Sequence, residues 1–357
     1  MQTLDLMHGR LSLPTFFPDA TYGVVRTVDF ADVAAAGIDG VVMNTFHLLT
    51  KPGLGVVRAM GGMHDFAGWP RPILTDSGGF QAYSMIWQNP KYGQLRPGGI
   101  LFKPDGGGRI DFTPEKCMQM QLACASDIVM CLDCCTHPDA PRQQQEQSVA
   151  LSIKWAKQCR EVFDRLCAQK YGDGPRPKLF GIIQGGGDRD LRRQCAQALT
   201  EIGFDGYGYG GWPLDEAGNM VYDILAYTAQ LMPDGLPKYA MGMGRPEEIV
   251  TLNRMGYNLF DCVIPTREAR HGRLYTFTGE PLDEAGRFYR FLYMLDEDYC
   301  TDSRPVEEGC DCHTCRNYSR AYLRHLLKSG DSLGLRLATI HNLRFYARLM
   351  ARMRGQD

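Results

Sequence analysis

Two aspartates lie in sequence stretches that could carry glycosidic-bond chemistry. Asp76 is part of Thr-Asp-Ser-Gly-Gly-Phe-Gln at 75–81, and Asp261 is part of Phe-Asp-Cys-Val-Ile-Pro-Thr-Arg at 260–267. When two carboxylates face each other across a site, one can attack an anomeric carbon while the other transfers protons. The pair therefore predicts either sugar hydrolysis or the exchange of one base for another on a nucleic acid.

A second group of residues has the spacing of a metal site. The pattern Cys-x-Cys-x2-Cys at 310–315 places three thiols within six residues, and His341 follows in a helical stretch at 333–353. Three thiolates and one imidazole form a tetrahedral set that Zn²⁺ favours. His313 and His325 are alternative fourth ligands, but His313 lies too close to the cysteines to complete a tetrahedron easily. We expect one structural zinc ion per chain, held by Cys310, Cys312, Cys315 and His341.

Short apolar runs alternate with helical stretches along most of the chain. The clearest helical stretches are 143–169, 188–202 and 246–255. The apolar runs are 41–43, 73–74, 128–132, 179–183, 206–209, 239–240 and 259–260. Strands that are apolar throughout and are followed by helices are typical of a parallel sheet covered on both faces. Seven such runs predict an α/β fold, a TIM (β/α)8 barrel in which one strand is not recognised.

Polar residues stand where these apolar runs end. They are Asn44, Asp76, Asp133, Gln184 and Asp261. Each of them alone could simply cap the helix that follows its strand. In a TIM barrel, however, the carboxyl ends of all strands meet on one face, and that face carries the active site. The set as a whole therefore predicts a site on this face.

The chain divides into two predicted parts. Residues 1–299 form the barrel, and residues 300–357 form a helical zinc-binding subdomain packed on it. The segment 83–111 interrupts the strand–helix rhythm with Pro90, Pro97, Pro104 and the glycines at 106–108. We interpret it as an insertion with hairpins near the rim of the active site, and its glycines as turn residues more than as a phosphate cradle.

Composition excludes several classes of protein. The 357 residues are 44% hydrophobic and 22% charged, with a net charge of -2, so any nucleic-acid site must be a local basic patch. No apolar run reaches the length of a membrane span, and the amino terminus does not have a signal-peptide core. Thirteen cysteines without an export signal predict reduced thiols and a cytoplasmic location.

Together, these motifs resemble those of the tRNA-guanine transglycosylases, which install queuine-type bases in tRNA. The matching stretches run in the order of the family and cover nearly the whole chain, at 75–81, 181–186, 203–211, 260–270 and 310–341. The resemblance is to bacterial members and implies a TIM barrel with a zinc subdomain. It also implies a homodimer in which one subunit catalyses while the other helps to hold the tRNA.

The resemblance assigns a role to each aspartate. It implies that Asp261 displaces guanine and forms a covalent ribosyl-enzyme. Asp76 would protonate the departing guanine and deprotonate the incoming base. Two displacements at one carbon restore the starting configuration, and no energy cofactor is needed because one glycosidic bond replaces another.

The resemblance also implies a pocket for the base. Asp133 and Gln184 would bind the donor and acceptor edge of a guanine-like ring, and the Gly211 amide would contact its carbonyl. Phe80 and Met241 would sandwich the ring, although such residues are often ordinary core. We expect the base-binding residues to be Ser77, Phe80, Asp133, Gln184, Gly211, Trp212 and Met241.

Basic residues are the expected contacts to RNA. Arg267 and Arg270 correspond to family positions that bind the anticodon around the target guanine, which must leave its stack. From 316 onward there are nine Lys and Arg against two Asp. Four of them recur at every fourth residue and predict a phosphate-binding or solvated helical stripe, namely Arg316, Arg320, Arg324 and Lys328.

Two stretches depart from the family pattern. Bacterial members have Asp-Glu-Cys where 133–135 reads Asp-Cys-Cys, which leaves the effect of Cys134 open. The loop 212–216 reads Trp-Pro-Leu-Asp-Glu, with bulkier residues than usual before Glu216. In the family this loop touches the substituent at the 7-position of the incoming base. Leu214 favours the small aminomethyl precursor of queuine over queuine itself.

Four other functions compete with this interpretation. One is modification of the tRNA D-loop, whose enzymes carry extra carboxyl-terminal RNA-binding domains. A second is modification of DNA, and a third is a non-catalytic partner subunit, against which the retention of both catalytic aspartates argues. A fourth is a plain glycosidase, which the guanine-binding set disfavours.

Overall fold

A computed structural model describes residues 2–103, 108–137 and 140–356 of the chain. Pro104, Gly106 and Gly107 of the predicted rim segment lie outside the described residues. Eight parallel strands form one sheet, in the order β1-β8-β7-β6-β5-β4-β3-β2. The strands are β1 (Thr15–Pro18), β2 (Val41–Asn44), β3 (Ile73–Asp76), β4 (Ile128–Met130), β5 (Lys178–Ile183), β6 (Gly206–Tyr209), β7 (Lys238–Ala240) and β8 (Leu259–Cys262).

The sheet curls into a nearly closed barrel. β1 pairs with β8 in parallel, and a bridge between Asp19 and Val42 joins β1 to β2. The amide of Ala20 donates to the carbonyl of Val42 at 2.7 Å across the same seam. The predicted α/β barrel is therefore confirmed, and β1 is the strand that the sequence did not reveal. Its apolar run is only Phe16 and Phe17 between two prolines, and prolines argue against a central strand.

The barrel interior is filled by side chains and is not a pore. Its inward-facing residues are buried, and they include Phe17, Val42, Leu74, Met130, Ile182, Tyr239 and Leu259. Side chains alternate along a strand, so residues two positions further on also face inward, one layer closer to the carboxyl ends. That next layer holds Asp19, Asn44, Asp76, Gln184, Met241 and Asp261.

Helices cover the outside of the barrel. The predicted helices 143–169, 188–202 and 246–255 are confirmed, with their ends shifted by at most two residues. Asp188 caps its helix by accepting from the amides of Asp190 and Leu191. The covering helices are Phe30–Ala35, Pro114–Ala123, Arg142–Tyr171, Arg189–Ile202, Tyr222–Leu231, Pro246–Arg254 and Ser332–Met353. Within the described ranges, no helix is both long and apolar enough to cross a bilayer.

Smaller elements surround the mouth and the floor. A hairpin of Thr3–Leu6 and Gly9–Ser12 lies at the amino-terminal ends of the barrel strands. The predicted rim segment contains a three-stranded antiparallel sheet of Gly93–Arg96, Gly99–Phe102 and Ile110–Phe112. Around the mouth run the helical segments Thr45–Leu48, Leu49–Gly53, Leu54–Ala59, Gly79–Gln88, Pro90–Tyr92 and Ile264–Arg270. The short helix Met63–Ala67 lies at the amino-terminal ends, where His64 approaches Asp127 at 3.3 Å.

The carboxyl-terminal part is tied to the barrel by one long helix. The hairpin Arg273–Phe277 and Tyr289–Tyr293 leads through Glu297–Tyr299 to the helices His313–Asn317 and Arg320–Lys328. Asn342 of the last helix donates to the carbonyls of Pro265 and Arg273 at 3.0 Å each and accepts from the amide of Tyr275 at 3.1 Å. The last helix thus fixes the segment that follows β8. The domain boundary at 299/300 stays a prediction.

Candidate active site and metal centre

A pocket of about 530 Å³ opens at the carboxyl ends of the barrel strands. Its size is that of a small-molecule site. Nine of the eleven predicted catalytic, base-binding and RNA-binding residues line it, so the residues chosen from separate motifs converge on one place. They are Asp76, Ser77, Phe80, Asp133, Gly211, Trp212, Met241, Asp261 and Arg267. Gln184 stands behind Asp133, and Arg270 lies at the end of the helix that carries Arg267.

Asp261 is oriented through one of its two oxygens. Oδ1 accepts from the hydroxyl of Tyr239 at 2.7 Å and from the amide of Gly242 at 2.6 Å. Among the described residues no donor engages Oδ2, so this oxygen is available for attack. Burial raises the pKa of Asp261 to about 6, against the lowering effect of these two hydrogen bonds. At neutral pH the side chain is therefore mainly ionised, as a nucleophile must be.

Asp76 is held in the opposite protonation state. Burial raises its pKa to about 8; the Thr45 amide lowers it, and the charge of Asp261 raises it. Asn44 donates to Oδ2 of Asp76 at 2.6 Å, and the Thr45 amide lies 3.4 Å from Oδ1. Two neighbouring carboxylates whose pKa values are driven apart can serve as nucleophile and acid in one site.

Asn44 has two roles at the end of β2. Its Oδ1 accepts from the amide of His47 at 3.2 Å, which caps the helix Thr45–Leu48. Its Nδ2 is the donor to Asp76. The helix cap and the active-site contact are therefore the same residue, and the first fixes the position of the second.

The inner end of the pocket holds a pair of polar side chains. Gln184, only 1% exposed, donates from Nε2 to Oδ2 of Asp133 at 2.6 Å. Its Oε1 is buried without a hydrogen-bond partner among the described residues, a state that costs about 1–3 kcal/mol unless a ligand supplies the donor. Burial raises the pKa of Asp133 to about 6, against hydrogen bonds from Gln184 and Ser77. At this end of the pocket, the oxygen of Gln184 and the ionisable carboxyl of Asp133 could accept hydrogen bonds from the edge of a base.

Glycines allow the backbone to approach this pair. A Cβ on Gly210 would lie 2.6 Å from Nε2 of Gln184, and Gly211 has a φ of +96°, which other residues rarely adopt. Arg192, fully buried, donates to the carbonyls of Ile183 at 2.7 Å and Gly210 at 2.9 Å. It thereby fixes the ends of β5 and β6. Sequence reasoning missed Arg192 because it lies inside a helix and outside the recognised motifs.

Aromatic rings form one wall of the pocket mouth. Phe80 is 44% exposed and Trp212 is 40% exposed, and their ring centroids are 5.6 Å apart in an edge-to-face arrangement. Met241, predicted to face Phe80 across the base, lines the same pocket. Flat apolar surfaces of this kind can hold a planar ring.

The loop after Gly211 differs from the expectation. Trp212 and Pro213 line the pocket, whereas Leu214 pairs with Met220 outside it and Glu216 is exposed in the following turn. Leu214 does not line the pocket, so the preference for a small substituent that was based on it stays a prediction. Trp212 and Pro213 are the residues of this loop that a substituent would meet.

Arginines gather at the mouth beside Asp261. Arg267 is exposed and lines the pocket. Burial lowers the pKa of Arg270, and the positive charges of Arg26 and Arg267 lower it further. Nη1 of Arg270 is buried without a hydrogen-bond partner among the described residues. The three guanidinium groups form a compact cationic patch with donors available for phosphate.

A fourth carboxylate in the pocket, beside those of Asp76, Asp133 and Asp261, was missed by the sequence analysis. Asp19 follows β1 and lines the pocket together with Asp261. Thr21 donates its hydroxyl to Oδ1 of Asp19. The signal that could have revealed Asp19 was its position at the end of β1, but β1 itself was not recognised.

The predicted metal ligands form one buried cluster. The Sγ atoms of Cys310, Cys312 and Cys315 lie 3.8, 3.7 and 3.3 Å from Nδ1 of His341. Tetrahedral zinc, with bonds of about 2.3 Å to sulfur and about 2.0 Å to nitrogen, would separate such atoms by about 3.6 Å. Nε2 of His341 is 2.7 Å from the carbonyl of Tyr275, which leaves Nδ1 free to coordinate.

The alternative histidines do not join the cluster. His313 and His325 are exposed, and His313 lies 3.3 Å from the side-chain amide of Asn317. The cluster can thus hold a metal ion with four protein ligands and no open position.

The prediction of one continuous basic stripe is wrong. Its residues belong to two separate helices, His313–Asn317 and Arg320–Lys328. Arg320 is buried and pairs with Asp302 at 3.0 Å, and Arg324 and Lys328 both pair with Glu297. These cations neutralise acidic residues of this chain and stabilise the subdomain.

Matches to known proteins extend over nearly the whole chain. The family model described as Queuine tRNA-ribosyltransferase matches residues 1–356. A protein named Queuine tRNA-ribosyltransferase from Psychrobacter cryohalolentis is 43% identical over 353 residues, which cover 99% of this chain and 88% of the relative. One of the same name from Aromatoleum aromaticum is 43% identical over 356 residues, covering 99% and 90%. The chain belongs to the queuine tRNA-ribosyltransferase family.

Proposed function

We propose that this protein is a tRNA-guanine transglycosylase, a pentosyltransferase that exchanges guanine in the anticodon of tRNA for a 7-deazaguanine. One observation carries the proposal above the others. An ionised Asp261 and a protonated Asp76 line one pocket with Asp133, behind which Gln184 has a buried acceptor without a partner among the described residues. A guanine-like ring supplies N–H donors on the edge that would face this acceptor.

The first half-reaction breaks the bond between the ribose and guanine. Oδ2 of Asp261 attacks C1′ of the target nucleotide, and the electron pair of the broken bond moves to the departing guanine. Asp76 gives its proton to that guanine. The product is a ribosyl ester on Asp261, and the charge on Asp76 is now negative.

The second half-reaction reverses these movements with a different base. The carboxylate of Asp76 removes the N9 proton of the incoming base, whose nitrogen attacks C1′. The ester bond breaks, and Asp261 leaves as a carboxylate. Asp76 ends the cycle protonated, so the enzyme returns to its starting state without any co-reactant.

The pocket residues support recognition of the base. Asp133 and Gln184 would pair with its polar edge, Ser77 would hold Asp133, and the amide of Gly211 would contact its carbonyl. Phe80 and Met241 would cover its two faces. The incoming base is a 7-deazaguanine, either the aminomethyl precursor or queuine, whose 7-substituent would meet Trp212 and Pro213.

The cationic patch supports entry of an RNA strand. Arg267 and Arg270 would bind phosphates next to the extruded guanine, because that nucleotide must leave its stack to reach the barrel. A guanidinium group binds phosphate through two parallel hydrogen bonds. The homodimer that the family resemblance implies and the cytoplasmic location that the cysteine content implies stay predictions. Light scattering on the purified protein would measure the dimer.

We propose that the ion in the Cys310, Cys312, Cys315 and His341 cluster is Zn²⁺. The support is its soft donor set and the fit of the four ligand atoms to tetrahedral bond lengths. Metal analysis should find about one zinc per chain, and Cys312→Ser should lose it together with stability. Folded, stable protein that contains no zinc would overturn this assignment.

Exchange of radiolabelled guanine into an unmodified tRNA with guanine at the wobble position tests the proposed function. Incorporation at that position alone is the expected result, and a chase with excess precursor base or excess queuine identifies the incoming base. Label that enters the D-loop or a DNA duplex instead would identify one of the alternative substrates. Hydrolysis of the nucleotide without exchange would identify a glycosidase, and binding without either reaction a non-catalytic subunit.

A further inference from the structure

Asp19 occupies a place in the pocket to which the proposed base-exchange mechanism gives no task. In the β1–β8 pair, Phe17 lies beside Asp261, and Asp19 is two residues further towards the carboxyl ends. At about 3.3 Å per residue, Asp19 lies about 7 Å further along β1 than Phe17, in the same inward-facing layer as Asp261. The bridge between Asp19 and Val42 also places Asp19 at the seam where β1 meets β2.

The position of the sugar follows from the chemistry of Asp261. Its oxygen must reach C1′, so the ribose ring lies directly at Asp261 during both half-reactions. The base extends inward towards Asp133 and Gln184, and the phosphates remain outside near Arg267 and Arg270. Asp19 lines the same pocket as Asp261 and Val263, so its carboxylate lies beside the space that the ribose would occupy.

Asp19 also stands within electrostatic reach of the groups around the sugar. Beyond burial, which raises the pKa of Asp261 most, the negative charge of Asp19 raises it further, and it also opposes the lowering of the pKa of Arg270. A carboxylate this close to a nucleophilic carboxylate works against the ionised nucleophile. This electrostatic cost to Asp261 would be offset if Asp19 binds the substrate.

We propose that Asp19 accepts a hydrogen bond from the 2′-hydroxyl of the target nucleotide and so selects ribose over deoxyribose. A carboxylate offers only acceptors, and the 2′-hydroxyl is the donor that distinguishes RNA from DNA at this position. In retaining glycosyl transfer, hydrogen bonds to this hydroxyl strengthen in the transition state. Thr21, which donates to Oδ1 of Asp19, orients the carboxylate. The inference rests on the proposed base exchange.

The test combines a protein variant with a substrate variant. Exchange of guanine is measured in an anticodon stem-loop RNA and in the same RNA with 2′-deoxyguanosine at the target position, using the wild type and Asp19→Ala. We expect Asp19→Ala to lower kcat/KM on the all-ribose RNA by roughly 10- to 100-fold, and by less than about 3-fold on the deoxy substrate. Removal of the hydroxyl makes the glycosidic bond intrinsically easier to break, but this effect is equal for both proteins and cancels in the comparison.

Controls separate the possible failures. Asp173→Asn changes an exposed carboxylate in the turn before β5, at the other end of the barrel, and should leave all four rates unchanged. Asp19→Asn keeps the shape of the side chain and should show the same selectivity in weaker form if Asp19→Ala does not fold. An equal loss on both substrates, or no loss on either, would overturn the role of Asp19. Absence of exchange by the wild type on the all-ribose RNA would instead overturn the proposed function.

Discussion

The two ends of the barrel each bury aspartate, with opposite consequences for its acidity. At the carboxyl ends, burial raises the pKa of Asp76 to about 8. At the amino-terminal ends lies Asp127, which is fully buried. Burial there would raise the pKa as well, but the hydrogen bonds of His64, Ile73 and His8 reverse this, and the pKa is lowered.

The difference lies in the donors that surround each carboxylate. Asp127 accepts from the amides of Ile73 and His8 at 2.9 Å each, and the rings of His8 and His64 lie 3.0 and 3.3 Å from its oxygens. Asp76 has one short contact, to Asn44, and long ones to Thr45 and Gln81. Burial therefore activates a carboxylate only where the fold withholds donors. At the amino-terminal end, Asp127 joins the turn of the hairpin Thr3–Ser12, at His8, to β3, at Ile73.

Asp261→Asn should give the largest change of activity at the carboxyl-terminal end. The amide cannot attack C1′, so we expect exchange to fall by at least about 10³-fold and the covalent ribosyl adduct to disappear. Denaturing electrophoresis of enzyme mixed with RNA detects the adduct. RNA binding by the variant, measured by filter retention, should stay within a few-fold of the wild type. An adduct at normal yield would remove Asp261 as the nucleophile.

Asp76→Asn should have the next largest effect. An amide can neither protonate guanine nor accept the proton of the incoming base, and loss of general acid–base catalysis costs about 10²- to 10⁴-fold. Steady-state exchange measures the loss. Because Asp261 is intact, the variant should still bind RNA. A rate equal to that of the wild type would show that another group transfers the proton.

The pH dependence of kcat/KM should report the two catalytic carboxyls. Below about pH 6, Asp261 becomes protonated and cannot attack, and above about pH 8, Asp76 has lost the proton that the departing guanine needs. As the pH increases, kcat/KM should therefore rise through about pH 6 and fall through about pH 8. Below pH 6 and above pH 8 it should change about tenfold per pH unit. Asp133 titrates near pH 6 as well, so the alkaline limb is the diagnostic one. An alkaline limb that persists in Asp76→Asn would assign it to another group.

The sequence predicted the catalytic end of the barrel better than the surfaces around it. The carboxyl ends of the strands were predictable, because a polar residue that directly follows a buried apolar run is easily recognised, as at Asp76 and Asp261. Asp19 could not be read, since the prolines beside Phe16 and Phe17 hid its strand. The basic stripe was misread because the acidic partners of Arg320 and Arg324, at 302 and 297, lie about 20 residues or more away in the sequence.

The metal cluster was predictable for a different reason. Three of its ligands are adjacent in the sequence, and only His341 had to be chosen among three histidines. The role of Arg192 was not predictable from the sequence. Its three acceptors are backbone carbonyls from two strand ends and a loop. Every residue has a backbone carbonyl, so residue types do not indicate such contacts. Side-chain chemistry close in sequence is therefore readable, whereas contacts to the backbone of distant segments require the fold.

The smallest effect on activity, and the most direct test of the comparison, comes from Asp127→Asn. At pH 7 the free energy of unfolding should fall by about 3 kcal/mol, because the buried amide cannot satisfy two imidazoles and two amides, while kcat of the folded protein changes less than about twofold. The folded pKa of Asp127 is lowered, so its stabilisation is present above the unfolded pKa of about 4 and is lost as the pH falls further. Denaturant unfolding at several pH values measures this.

Asp76→Asn should shift stability in the opposite direction. The folded pKa of Asp76 is raised to about 8, so its carboxyl stabilises the fold only while protonated and destabilises it as the pH rises through that value. At pH 9 the neutral amide should therefore make the protein more stable than the wild type, whereas Asp127→Asn should make it less stable. Both variants could instead lower the free energy of unfolding equally at pH 9. That result would show that the hydrogen-bond donors around each carboxylate do not explain the difference between the two ends of the barrel.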